Sequence, residues 1–213
     1  MRGSPSKVLE AIDEFGREHD FLMNIGKMKG DIIKKIMAKN KPQVFVELGG
    51  YVGYSALMFG EALRKYGAPG ENLRFWSLEY SPIFASIVMN LVDLAGLSDI
   101  VKVVIGPAEE SLKRLHGEGK MNKIDILFLD HVEDLYVQDF KVCEALGLFK
   151  KGTVVVADNV IFPGAPEYLE FVRGHPGVET KGINSFIPTG WPVSTSSLHL
   201  VFQYLRRLRI GRA

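Results

Sequence analysis

Five strand-sized apolar runs, at 44–48, 73–78, 101–105, 124–129 and 153–157, are separated by segments whose apolar residues recur at helical spacing. Runs that are apolar on consecutive residues, rather than alternate ones, mark strands buried on both faces. Strand followed by helix, repeated in one uninterrupted chain, closes as a mostly parallel sheet with helices on both faces. Two helices precede the series. Ser4-Pro5 offers an N-cap with proline in the first turn, and Val8, Ile12 and Phe15 follow at helical spacing. The second helix runs from Asn24 through Ile32, Ile33, Ile36 and Met37 to the breaker Asn40-Lys41-Pro42. After the second strand, Ser81-Pro82 caps a helix whose inner face reads as Ile83, Ile87, Leu91 and Leu94. A helix through Val142, Leu146 and Leu148 leads to the fifth strand. The final third holds a short helix near 167–172 and two more strands, the last near 198–204, which brings the expected sheet to seven. The 213 residues contain no repeat or linker and read as one domain, with 1–6 a flexible lead-in and 206–213 a basic, solvated tail.

Several function classes are disfavoured by composition. A formal net charge of +1 creates no field for nucleic acid or membranes, and no basic strip with interleaved aromatics is visible. The apolar runs are too short to span a bilayer, and no apolar stretch follows the charges of the first residues as in a secretory signal. Cys143 is the sole cysteine, so no intramolecular disulfide forms and a cytoplasmic setting is expected.

In sheets of this kind ligands bind outside the carboxyl ends of the strands. The residues there are Glu47 with Gly49, then Glu79, Asp130, and Asp158 with Asn159. The turn from Glu47 to Ser55 contains Gly49, Gly50 and Gly53, which suits either close approach of backbone to a ligand or simply a tight, well-packed turn. It lacks the dinucleotide pattern, because Tyr51 stands where a second glycine is needed, and this speaks against a nicotinamide oxidoreductase. Glu79 can accept the two hydroxyls of a ribose, or serve as a capping acid before Ser81-Pro82. An adenosine-bearing ligand is therefore expected. Asp130, Asp158 and Asn159 offer three hard oxygens from neighbouring strand ends, a set that suits Mg2+, with a strand-end cap the alternative for Asp130. The five histidines are scattered and do not suit zinc.

The segments Val-Glu-Leu-Gly-Gly-Tyr-Val-Gly-Tyr-Ser ending at Ser55, Phe-Leu-Asp-His ending at His131, and Ala-Asp-Asn-Val-Ile-Phe-Pro-Gly-Ala-Pro ending at Pro166 resemble motifs of the catechol O-methyltransferase family. Val-Leu-Glu-Ala-Ile-Asp ending at Asp13 and Met-Asn-Ile-Gly ending at Gly26 resemble its N-terminal helices. The resemblance runs from about Val8 to Phe186. It implies a Rossmann-like, S-adenosyl-L-methionine-dependent methyltransferase that acts with magnesium on a catechol-like aromatic diol, a monomer or weak homodimer of catecholamine metabolism. By this resemblance Met23, Ile25, Glu47, Gly49, Tyr51, Ser55, Glu79 and Tyr80 hold the cofactor, with Glu79 on the ribose. Gly106 also binds the cofactor, Ala108, Glu109 and His131 lie beside the adenine, Ala108 and Glu109 replacing a Ser-Gln pair, and Asp130 borders both cofactor and metal. Asp130, Asp158 and Asn159 match the metal ligands, and Asn159 also borders the acceptor. Phe21, Met23, Val132 and Pro163 fall on the apolar gate around the catechol ring, where two of the family's tryptophans are missing.

Two further departures from the family pattern matter more. Its general base is a lysine, and Glu133 stands there; its carboxylate for the second catechol hydroxyl falls on Pro188. A glutamate, with a reference pKa of about 4.3 against about 10.4 for lysine, is a far weaker base and cannot stabilise an oxyanion. Three readings of Glu133 follow: a working base, a solvated loop residue beside some other proton acceptor, or the mark of a protein that only binds its cofactor.

Overall fold

The computed structural model describes residues 1–70 and 72–183 and the backbone of 184–186 and 197–205. Helices α1 (Pro5–Glu18) and α2 (Gly26–Asn40) lead into β1 (Val44–Leu48), α3 (Tyr54–Tyr66), β2 (Arg74–Glu79), α4 (Pro82–Leu94) and β3 (Val101–Ile105). There follow α5 (Ala108–Gly117), β4 (Ile124–Leu129), α6 (Tyr136–Ala145), β5 (Phe149–Ala157), α7 (Pro166–Gly174), β6 (Val178–Phe186) and β7 (Ser197–Leu205). The sheet order is β3-β2-β1-β4-β5-β7-β6. Strands β1 to β5 are parallel, and β7 lies antiparallel between β5 and β6. The order reverses between β1 and β4, which opens the crevice where such sheets bind ligands.

Alternate residues of the parallel strands feed two cores. Phe45, Phe75, Ile126, Phe128, Val154 and Val156 face α1 to α4, where they meet Ile33, Met37, Leu57, Phe59, Val88 and Val92. Phe45 anchors that layer, its ring stacked on Phe75 at 4.8 Å and on Phe59 at 5.4 Å. Val46, Leu48, Leu78, Leu127, Leu129, Val155 and Ala157 face α5 to α7, against Leu112, Leu115, Tyr136, Phe140, Tyr168 and Val172. Covering both faces is what makes the strands continuously apolar.

The details differ from expectation at four places. The inner face of α4 is Ala85, Val88 and Val92, whereas Ile83 is 71% exposed and Ile87 lies at the surface. The polar residues Ser86, Asn90 and Asp93 recur at helical spacing on the outward face, and Ile83 and Ile87 flank that stripe rather than oppose it. Phe15 is exposed although Val8 and Ile12 are buried. α6 ends at Ala145, leaving Leu148 in the turn before β5. β5 starts at Phe149, because the Thr153 hydroxyl accepts from the Lys150 N–H and donates to the Ile124 carbonyl, tying the early residues to β4. At the start of the chain the Gly3 N–H donates to the Leu94 carbonyl at 2.8 Å and Pro5 is buried. The basic stretch 206–213 and Pro188 lie outside the described residues.

Candidate active site

Strand register places the chemistry. Leu48 of β1 pairs with Leu129 of β4, and Leu129 with Ala157 of β5, so Asp130 and Asp158 leave the sheet side by side. The Asp130 N–H donates to the Leu48 carbonyl, and the Asp158 N–H to the Leu129 carbonyl, each at 2.9 Å. Gly49 sits directly against this junction at φ 95°, and a Cβ there would overlap the Asp130 carbonyl. The glycine turn is therefore required by packing as well as by any ligand. Asn159 adopts φ 58°, a left-handed conformation that asparagine tolerates, and its N–H donates to Asp158 Oδ1 at 2.8 Å.

A cleft of about 930 Å3 opens over these strand ends. Among its lining residues are Met23, Ile25, Gly49, Tyr51, Ser55, Glu79 and Tyr80 from the first half of the chain. Gly106, Ala108, Glu109, Asp130, His131, Val132, Glu133 and Asn159 complete the far wall. All the expected cofactor residues except Glu47 thus converge on one space. Glu47 lies behind that wall and is fully buried. Phe21 and Pro163, expected at an acceptor gate, are exposed and do not line the cleft, whereas Met23 and Val132 stand exposed at its edge.

Glu47 is the most informative side chain at the cofactor end. Ser77 donates to its Oε2 at 2.7 Å, while Oε1 is buried with no hydrogen-bond partner among the described residues. Burial pushes its carboxyl up from 4.5 to about 7; the Ser55 and Ser77 hydroxyls oppose this, and the charge of Glu79 adds to it. An unpartnered buried acceptor behind a cleft asks for a donor or a positive charge from a ligand. Glu79 is engaged more fully than expected. Its Oε2 accepts from the N–H groups of Gly50 and Tyr51, both at 2.9 Å, and its Oε1 from the Ser81 N–H at 2.8 Å. A carboxylate has about four acceptor positions. Glu79 therefore holds the glycine turn and retains room for about one further donor, so the ribose and capping readings merge.

The adenine-side expectations divide. His131 stacks on Tyr136, with centroids 5.1 Å apart, and its Nε2 meets Asp139 Oδ2 at 2.7 Å. With Nε2 as donor to this buried carboxylate, Nδ1 is left as an acceptor with no partner among the described residues. Glu109 is already occupied by Lys113 and Gln138, and the Lys113 ammonium holds its carboxyl below the usual range. A ligand amine would have to compete with both.

At the ends of β4 and β5, burial raises the Asp130 carboxyl well above its ordinary value, and the charges of Asp158, Glu47 and Glu133 add to the shift while Lys29 opposes it. A buried carboxyl raised by the charge beside it is favoured in its ionised form by a nearby cation, and Lys29, which pairs with Asp158, only partly offsets the shift at Asp130. Among the described residues no group of three or more His, Cys, Asp or Glu side chains is arranged for a metal. The candidate set is two carboxylates and an amide, all oxygen, which fits magnesium and not zinc. Glu133 opens a 3-10 turn to Leu135, half-buried at the cleft wall, and so adds negative charge where the family pattern has positive.

Three residues here were not singled out from sequence. Asp139 orients His131, and Ser77 holds Glu47. Lys29 of α2 reaches across the molecule to Asp158, its Nζ donating to both carboxylate oxygens at 2.7 and 2.6 Å. The signal for Lys29 was its place on the buried stripe that continues through Ile33 and Met37.

Among known proteins, the O-methyltransferase family profile matches residues 4–170. The catechol O-methyltransferase of Bos taurus is 38% identical over 187 residues, 88% of this chain and 66% of that protein. Catechol O-methyltransferase B of Danio rerio is 40% identical over 172 residues, 81% of this chain and 63% of that protein. The chain thus spans slightly less than two thirds of the length of these relatives. An O-methyltransferase from Bacillus cereus, solved in complex with SAH, superposes with a TM-score of 0.75 at 21% identity, covering 95% of this chain and 90% of that one. A SAH-bound methyltransferase from Podospora anserina gives 0.76 at 20% identity, covering 97% and 89%. These two likenesses establish the Rossmann-like methyltransferase fold. Together with the motifs at the strand ends and the extent of the profile match, the sequence relatives place the chain in the O-methyltransferase family, alongside the catechol O-methyltransferases.

Proposed function

We propose that the chain transfers a methyl group from S-adenosyl-L-methionine to a hydroxyl of a catechol-like aromatic diol, with Mg2+ held by Asp130, Asp158 and Asn159. The observation that carries this reading is the cleft over the strand ends, which gathers Met23, Gly49, Glu79, Asp130, His131 and Asn159, with Glu47 buried behind its wall and Asp158 beside Asp130 in the grip of Lys29. Support also comes from the family relatives and from the SAH bound by the two structural neighbours. The Glu47 oxygen fits the positively charged amino-acid end of the cofactor, Glu79 has room for a ribose hydroxyl, and the apolar edge at Met23 and Val132 suits an aromatic ring. When bound, the cofactor supplies an electrophilic sulfonium methyl and magnesium supplies Lewis acidity that favours an ionised hydroxyl. The protein contributes position: strand register sets Asp130 against Asp158, and the turn at Gly49 sets both against the cofactor wall.

Glu133 favours a second reading. Its charge works against ionisation of Asp130 and would disfavour an anionic acceptor at the same place. On that reading the chain binds S-adenosyl-L-methionine but methylates weakly, not at all, or on a different acceptor. The two are separated by methyl-transfer assays over a panel of catechols, catecholamines included, alongside calorimetric titration of the cofactor. Transfer that disappears with a chelator supports the first reading. Cofactor binding without transfer to any catechol supports the second.

We further propose a monomer or weak homodimer acting in the cytoplasm on free small molecules. Among the described residues no helix is long and apolar enough to cross a membrane.

A further inference from the structure

Lys29 is 3% exposed, and an ammonium in such a place costs free energy that its partners must offset. Apolar side chains of similar volume commonly replace buried ion pairs without loss of stability, so packing alone does not call for a lysine. The helix is nonetheless built to deliver it. A Cβ on Gly30 would overlap the Met58 sulfur, so this glycine lets α2 lie directly on α3, and Ile33 and Met37 seal the same face.

What Lys29 does to Asp158 follows from counting acceptor positions. Its Nζ takes one position on Oδ1 and one on Oδ2, and the Asn159 N–H takes a second on Oδ1. Of about four positions on a carboxylate, about one remains, on Oδ2. Asp158 can then meet a metal ion through a single oxygen only. Magnesium binds in this one-point fashion with six close ligands, whereas calcium takes six to eight and readily accepts both oxygens of one carboxylate.

Taking the magnesium reading as its premise, we propose that Lys29 is the specificity-determining residue of the metal centre: by occupying both Asp158 oxygens it confines that carboxylate to one-point ligation and so disfavours calcium. Lys29 touches Asp158 rather than the reacting atoms, so its effect belongs to ion choice and not to a chemical step. Its positive charge also weakens binding of every divalent cation, and losing it tightens both ions; the ratio between them isolates the geometric effect.

The test is calorimetric titration of magnesium chloride and calcium chloride into the whole chain, as wild type, Lys29→Gln and Lys29→Arg, without an acceptor. In Lys29→Gln the calcium affinity should rise at least ten-fold more than the magnesium affinity. Lys29→Arg, whose planar fork can still span both oxygens, should keep the wild-type ratio. An unchanged ratio in Lys29→Gln overturns the proposal while leaving the magnesium site intact; a wild-type chain that binds neither ion overturns the premise with it. If Lys29→Gln does not stay folded alone, its thermal unfolding is followed with each ion present. Stronger rescue by calcium than by magnesium supports the proposal, and equal rescue or none overturns it.

Discussion

A fully buried carboxylate with one unpartnered oxygen ties stability to pH, and Glu47 is such a group. Its folded value of about 7 lies above the ordinary 4.5, so the folded state holds the proton more tightly than the unfolded chain. Its stabilising contribution is complete below 4.5 and is lost as pH rises through 7, by about 3 kcal/mol in all. Urea unfolding without cofactor should therefore show stability falling between pH 5 and 8, with a flatter profile in Glu47→Gln; identical profiles would remove Glu47 as the cause. Cofactor affinity should move the opposite way, strengthening above pH 7 as Glu47 ionises. At Glu133 the expectation concerns rate. Glu133→Lys reverses the charge beside Asp130 and should raise methyl transfer to a simple catechol by about ten-fold or more, the usual contribution of a general base being about 100-fold or above. An equal or lower rate would mean that this position does not limit turnover. The acids were legible in the sequence because strand ends announce them. Lys29 was not, because on a helix carrying Lys27, Lys34 and Lys35 one more lysine reads as solvated until its 29, 33, 37 spacing is given weight.

Elements act here through their contacts. Gly49 combines φ 95° with backbone pressed against Asp130, so Gly49→Ala should cost about 3 kcal/mol or more, a fall in Tm of roughly 6–12 °C. Cofactor binding should fall with it, and a variant of wild-type stability would mean that the turn is looser than its geometry. α4 offers a paired comparison. Val88→Ala empties a site beneath the Gly53 turn and should cost about 2 kcal/mol, whereas Ile83→Lys, at an exposed site, should stay within about 0.5 kcal/mol. The reverse ranking in denaturant melts would restore the inner face that apolar spacing first suggested. Sequence reading placed α4 but not its rotation, because the apolar residues Ile83, Ile87, Leu91 and Leu94 were given more weight than the polar stripe of Ser86, Asn90 and Asp93, which marks the outward face. Existence and order of elements came from alternation; which side faces inward is settled by neighbours in the sheet.

Across the whole molecule, the proposed cofactor wall is built mainly from β1 and β2 and the proposed metal end from β4 and β5, with α2 bracing the latter. A chelator should therefore abolish methyl transfer while leaving S-adenosyl-L-methionine binding within about two-fold, or ~0.4 kcal/mol. Loss of both together would show that the two ends are not separable. The parallel core was legible because β1 to β5 are apolar throughout. The antiparallel end was legible only as two strands, since their positions depend on pairing between distant segments. That pairing has a consequence in time. β7 sits between β5 and β6, yet β6 is synthesised first. While the ribosome is still delivering Ser197–Leu205, β5 presents an open edge and β6 lacks its strand partner, holding on only through α2 and α7. The nascent chain therefore passes through an interval in which the parallel half has one unpaired, adhesive margin, and that interval is where chaperone dependence of this protein should be sought.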